Sequence, residues 1–178
     1  MNIELGTVRL RQPEHTDLDA LYRFKNDPEI ANLLGGFSPG LSRLDVEDWL
    51  NRHRNRPDEI VWAIAEAKTD LCLGHVGLYE IDYRVRLAEY GILVGEKSQW
   101  GSGLGSQVTV AVLDYAFDVL NLNRVSLRVL ATNERAIRLY RSLNFQVEGQ
   151  LTDAQFKSGE YVDMMLMAIM KTDRDRDR

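Results

Sequence analysis

The chain has 178 residues, 44% of them apolar and 28% charged, and its 22 Lys plus Arg against 27 Asp plus Glu leave a net charge of −5. That acidic balance argues against the basic footprint of a nucleic-acid binder, and one cysteine, Cys72, is too few for a disulfide framework or a zinc ribbon. His15, His53 and His75 form no H-x-x-x-H pair, so no metal is expected. With no apolar run near ~18 residues and no basic-then-apolar leader, the expected setting is the cytoplasm, away from membranes.

In chain order, Val8 and Leu10 alternate with Arg9 and Arg11 as a short strand. Thr16 precedes Asp17, Leu18, Asp19, Leu21 and Tyr22: a capping residue, acids in the first turn and apolar positions at i, i+3, i+4, which predict a helix. Asp27-Pro28 ends it, because the residue before proline is pushed out of helical geometry. Gly35, Gly36, Pro39 and Gly40 crowd a loop, after which Ser42 and Asp45 form a capping box that opens a second helix through Trp49 to His53.

Strands follow: Ile60 to Ala67, a turn at Lys68-Thr69-Asp70, Leu71 to Tyr79, and Leu87 to Val94. Behind a glycine run, Val112, Leu113, Ala116, Phe117 and Leu120 make a helical stripe. Val125, Leu127 and Val129 alternate as a strand, and Asn133 starts a helix carrying Ala136, Leu139, Tyr140 and Leu143 on one face. Phe145 to Gln155 and Tyr161 to Met170 read as a closing hairpin. Antiparallel hairpins around one strand-helix-strand unit predict an α+β architecture with a mixed sheet and about four helices. Nothing divides the chain, so residues 1–172 are expected as a single domain, with a charged and disordered tail over 173–178.

The sharpest local signal is Gln99-Trp100-Gly101-Ser102-Gly103-Leu104-Gly105-Ser106, between a strand and a helix. Glycines at alternate positions remove Cβ atoms, so backbone N–H groups can converge on a phosphate at a helix N-terminus; on the glycines alone, a tight turn is an equal reading. No lysine follows as in a P-loop, the glycine spacing and position do not match a dinucleotide fingerprint, and the companion motifs of a kinase are missing.

With these residues in view, the sequence resembles the GNAT superfamily of acyl-CoA-dependent N-acetyltransferases, and within it the ribosomal-protein N-terminal acetyltransferases of the Rim type. The resemblance runs from Val8 to Met170. It is carried by Arg9-Leu10-Arg11, Asp27-Pro28-Glu29, Gly74-His75-Val76-Gly77-Leu78, Ala88-Glu89-Tyr90-Gly91-Ile92, the glycine loop, and Asn133-Glu134-Arg135-Ala136-Ile137-Arg138-Leu139-Tyr140 continuing to Phe145. Two positions depart from the usual pattern. Trp100 stands where Gln or Arg is expected, and Asn144 replaces a glycine; Asn tolerates the left-handed conformation that this helix end requires.

The resemblance implies a GNAT-like, mostly antiparallel sheet, splayed at an acyl-CoA cleft, with acetyl-CoA as cosubstrate. The amides from Gly101 through Ser106, with Gln99 and Trp100, would hold the pyrophosphate. Ile92, Leu93 and Val94 would line the pantetheine slot, an amide near Leu93 or Val94 would polarise the thioester carbonyl, and Asn133 and Arg138 would contact the cofactor. Tyr140 is the expected general acid for the leaving thiolate, although its place on an apolar stripe also suits a core aromatic.

An ammonium with pKa ~10.4 is neutral in only about one molecule in a few thousand at pH 7, so a base is needed. Glu89 is the candidate, through water, and the same residue could be a strand Glu paired with an arginine; His75 is a weaker alternative. Cys72 reads as a small buried hydrophobe. The basic stretch Arg52, His53, Arg54, Arg56 reads as a solvated helix end, and Met164, Met165, Met167 and Met170 as packing. The activity so read is acetyl transfer to a primary amine by direct attack, the acceptor lying between the Gly35–Gly40 loop and the last hairpin. A protein N-terminus, a polyamine and an amino sugar are the acceptor classes, and a homodimer is a further expectation. The reading from another class is a non-catalytic acyl-CoA sensor.

Overall fold

A computed structural model describes residues 2–37, 39–54 and 56–175. The elements run β1 (Ile3–Glu4), β2 (Val8–Arg11), α1 (Leu18–Lys25), α2 (Pro28–Leu33), α3 (Arg43–Arg52), β3 (Ile60–Glu66), β4 (Cys72–Asp82), β5 (Leu87–Val94), α4 (Leu104–Asp114), β6 (Arg124–Leu130), α5 (Glu134–Ser142), β7 (Gln146–Lys157), β8 (Glu160–Met170) and α6 (Lys171–Asp175). The eight strands form one sheet in the order β1-β2-β3-β4-β5-β6-β8-β7. Every pairing is antiparallel except β5 with β6. That parallel pair is joined through α4, because parallel neighbours need a crossover rather than a hairpin.

The β5–β6 pairing positions the site. It covers only Leu87↔Arg124, Ala88↔Val125 and Glu89↔Ser126. Beyond Glu89, β5 stays with β4, with partners as far as Gly74↔Val94, and β6 stays with β8 as far as Leu130↔Met164. The two strands therefore diverge into a wedge whose facing edges are not laddered together.

Apolar side chains bury on both faces of the sheet. On one face α4 and α5 contribute Val108, Val112, Ile137 and Tyr140 to a core with Leu78, Tyr90, Val125 and Phe145. On the other, α1 to α3 bring Leu21, Phe24, Ile30, Val46 and Leu50 against Ala63, Cys72 and Leu93. Arg11 ties β2 to the start of α1: its Nη1 and Nη2 donate to Asp17 Oδ2 and Oδ1, both at 2.8 Å and both buried.

Local signals account for most boundaries. Ser42 and Asp45 form the capping box of α3, Asn133 Oδ1 accepts from the Ala136 amide to cap α5, and Asn144 sits at φ 66°. Four features depart from the sequence expectation. Thr16 does not cap α1; it lies inside a short 3-10 turn, His15–Asp17, whose N-cap is Glu14. Pro28 also begins a helix, α2, because Asp27 caps the Glu29 and Ile30 amides and proline suits the first helical position. β1 has two residues, too few to show alternation. The tail from Asp173, expected to be disordered, is helical as far as Asp175, where Arg174 pairs with Asp114 at 3.2 Å and Asp118 at 2.7 Å; residues 176–178 lie outside the described residues.

Candidate active site

The wedge opens into a cavity of about 560 Å³ that reaches from Glu89 to the glycine loop. Its lining includes Glu89, Ile92, Leu93, Val94, Gln99, Trp100, Gly101, Gly103, Leu104, Gly105, Ser106, Asn133 and Tyr140. Thirteen of the residues singled out in the sequence thus meet in one place.

The glycine loop forms the mouth. Gly101 and Gly103 have φ of 79° and 91°, a region that penalises side chains, and a Cβ at either position would meet nothing within 4 Å. Both therefore face open space and leave the backbone accessible. Gly103 is the N-cap of α4, so the Gly105 and Ser106 amides fall in a first turn that lacks intrahelical partners. Ser102 is not in the lining: its hydroxyl donates to the Gln99 carbonyl at 2.7 Å and accepts from the Leu104 amide at 3.3 Å, stapling the loop from behind. Bare amides, a helix dipole and no obstructing Cβ fit a pyrophosphate. Trp100 folds back, donating Nε1–H to the Val94 carbonyl at 2.8 Å.

Arg138 is also outside the lining, paired with Glu134 at 3.0 Å on the exposed side of α5. Arg135 lines the cavity instead, its guanidinium carbon 4.5 Å from the Trp100 ring centre. Helical geometry carried that signal. Arg135, Ala136, Leu139 and Tyr140 lie on one side of α5, and Arg138 points about 130° from its centre at 100° per residue. Arg128, Gln155 and Met164 are further lining residues that the motifs did not indicate. Asn133 lines the cavity while its Nδ2 donates to the Leu33 carbonyl at 3.2 Å, tying α5 to α2.

Glu89 and Tyr140 approach the wedge from opposite faces. Tyr90 and Tyr140 belong to the core under α4 and α5, and Leu93 to the core under α1–α3; strand alternation puts Glu89 and Gly91 on the Leu93 side. Burial raises the Glu89 pKa, Arg128 with its Nη2 at 3.5 Å lowers it in part, and Glu80 adds to the rise. Tyr140 is buried, edge-on to Tyr90 at 6.3 Å and tilted against Phe145 at 5.5 Å. Burial alone pushes its phenol up to about 12, so the hydroxyl keeps its proton at neutral pH.

The remaining candidates lie elsewhere. Cys72 is buried, its thiol pushed up to about 12 by burial and donating to the Gly74 carbonyl at 3.4 Å. His75 is on the α1–α3 face, between β3 and β5, with its pKa driven well down by burial and by Lys25 and His53. Arg56 pairs with Asp58 at 2.7 Å and with Glu59 at 3.2 Å, and His53 with Glu59. No cluster of metal-ligating side chains occurs among the described residues, and no helix among them is long and apolar enough to cross a membrane.

Comparison with known proteins gives the family of the chain. The acetyltransferase (GNAT) domain model matches residues 7–146. The chain belongs to the GNAT acetyltransferases. It is 31% identical to the spermidine N(1)-acetyltransferase of Vibrio cholerae over 165 residues, covering 93% of this chain and 94% of that protein. It is 27% identical to an L-amino acid N-acetyltransferase of Escherichia coli, covering 94% of this chain and 100% of that one. A crystal structure of the spermidine N-acetyltransferase of Vibrio cholerae with CoA and spermine superposes at a TM-score of 0.87, with 29% identity and 95% and 98% of the two chains covered. This GNAT protein is an acyl-CoA-dependent acetyltransferase, with acetyl-CoA as its cosubstrate.

Proposed function

We propose that this GNAT protein acetylates a primary amine by direct attack on acetyl-CoA, with Glu89 as base and Tyr140 as acid. The observation that carries the reading is the placement of these two groups on opposite faces of one wedge whose mouth is the bare glycine loop. Glu89, through water, takes a proton from the ammonium. The freed lone pair attacks the thioester carbon, the carbonyl oxygen gathers charge against an amide at Leu93 or Val94, and the C–S bond breaks as the Tyr140 hydroxyl gives its proton to the departing sulfur. The second proton left on the acetylated nitrogen passes through water to the tyrosinate, restoring the phenol. Gly101, Gly103, Leu104, Gly105 and Ser106 hold the pyrophosphate, and Gln99, Trp100, Asn133 and Arg135 flank the rest of the cofactor.

A polyamine is the acceptor that the spermidine acetyltransferases support, and the net charge of −5 suits a cationic acceptor. The Rim-type subgroup is a finer resemblance, and these relatives favour a polyamine over a ribosomal N-terminus. A second acceptor reading, an amine that also bears an anion, is favoured by Lys25, which lines the adjoining chamber with its Nζ over the Trp49 ring and no carboxylate within ion-pair distance among the described residues. The experiment is thiol release from acetyl-CoA with spermidine and a panel of primary amines, the acetylated product being identified by mass. Turnover at the amine supports the proposal; CoA binding with no turnover on any amine overturns it in favour of a sensor.

A further inference from the structure

The acyl cavity continues past Gly91, Ile92 and Leu93, which it shares with a second chamber of about 410 Å³ on the α1–α3 face. The polar groups of that chamber are Lys25, His75 and Tyr79. Lys25 is the last residue of α1, with its Nζ 4.0 Å from the centre of the Trp49 ring. Among the described residues it has no carboxylate within ion-pair distance, and burial lowers its pKa to about 8, which leaves it mostly charged at neutral pH. Several acids on neighbouring elements already have cationic partners: Glu59 has His53 and Arg56, Asp27 and Glu29 have Lys97, and Glu89 has Arg128.

Tyr79 forms the floor. Its Cα lies opposite Glu89 in the β4–β5 ladder, and its ring extends over Gly77 and Gly91, where added Cβ atoms would stand 2.8 and 3.2 Å from it. Four residues along β4, roughly 13 Å at strand rise, His75 lies opposite Leu93. Its two ring nitrogens are buried without a hydrogen-bond partner among the described residues, and the ring packs against Trp49 at 4.9 Å. From Glu89 in the first cavity, the path into the chamber thus runs across an aromatic floor to an ammonium with no protein anion beside a neutral imidazole. An ammonium placed at that far end meets like charge in a half-closed site, and an anion meets its complement.

We propose that this chamber holds the non-reacting end of the acceptor and selects an amine bearing an anionic group, in the first instance a carboxylate, over a diamine or polyamine of the same length. The inference rests on the acetyl-transfer reading above and departs from it on the acceptor's far end. A phosphate shares the required chemistry, and the arms of the test separate the two.

The test compares kcat/KM for acetylation of straight-chain ω-amino acids of increasing length with the matching diamines, with ω-aminoalkyl phosphates as a third arm. The expected result is an advantage of tenfold or more for the carboxylate at its best length, carried in KM. Exceeding it with the phosphate would reassign the end group and overturn the carboxylate choice. Lys25→Glu should invert the preference toward the diamine. Should that variant fail to fold, Lys25→Met, which keeps the stem over Trp49, should bring the two series to near parity. A wild-type preference for diamines, or a preference unchanged by Lys25→Met, overturns the chamber assignment and leaves acetyl transfer standing. Absence of transfer to every amine, spermidine included, would instead defeat the catalytic reading.

Discussion

Glu89 precedes Tyr90 on β5, and Tyr90 meets the Tyr140 ring edge-on at 6.3 Å, so one strand separates the carboxylate from the phenol. Adjacent strand residues point to opposite faces. The divergence of β6 after Ser126 lets both groups reach the wedge. An amine and a thioester sulfur can therefore be served from different sides without the two groups competing for one position.

Tyr140→Phe removes the proposed proton donor and keeps the ring that packs on Tyr90 and Phe145. The expected result is a fall in kcat of about a hundredfold or more, with acetyl-CoA affinity and thermal stability close to wild type. Unchanged kcat in steady-state thiol-release assays would reduce Tyr140 to a packing residue.

The pH profile tests Glu89. A base must be ionised, so activity is lost as pH falls through its pKa; because burial raises that pKa, the acid limb of kcat/KM should lie above that of an ordinary carboxylate. Arg128 opposes the rise, so Arg128→Gln should move the limb further toward alkaline pH. Glu89→Gln should lower kcat/KM by about a hundredfold or more and remove the limb. A limb that does not respond to Arg128→Gln would place the titrating group elsewhere.

The proposed cofactor site separates two arginines on one helix. Arg135 lines the cavity over Trp100, and Arg138 faces Glu134 and solvent. Arg135→Ala should raise KM for acetyl-CoA about tenfold, on the order of 1.4 kcal/mol, and Arg138→Ala should change it less than about twofold. Equal effects would contradict the helix orientation.

This pair also shows how far the sequence was legible. The glycine loop, the Asn133 cap, the Asn144 turn and Tyr140 could be read because each depends on local backbone geometry or on spacing within one helix. Arg138 was chosen by motif membership, where the angular position of Arg135 on α5 was the better guide. Ser102 reads as a cofactor contact within a glycine run, but its hydroxyl closes the loop from behind. Other features depend on tertiary approach. Lys25 reaches Trp49 only when α1 packs beside α3, and Arg128 reaches Glu89 across the one parallel pairing of the sheet. No spacing along the chain encodes either meeting.

Stability should depend on Arg11 more than on any surface ion pair. Arg11→Ala leaves the Asp17 carboxylate buried without its bidentate partner, and such a loss costs about 3–5 kcal/mol. At roughly 2–4 °C per kcal/mol for a chain of this size, Tm should fall by about 10 °C. Replacing both residues, as Arg11→Met with Asp17→Leu, should recover much of that loss, because an apolar pair of similar volume avoids the desolvation of both charges. Asp70, which also pairs with Arg11 and Arg9, has its pKa depressed by them. A carboxylate depressed in the folded state stabilises above its unfolded value of about 3.9, and that contribution is lost as pH falls through the folded pKa. Asp70 is 47% exposed, so its share is small. Thermal melts from pH 7 to pH 3 should therefore show a shallower acid decline in Arg11→Ala than in wild type, from an already lowered Tm. A wild-type Tm in Arg11→Ala would show that β2 and α1 are held together by apolar packing alone.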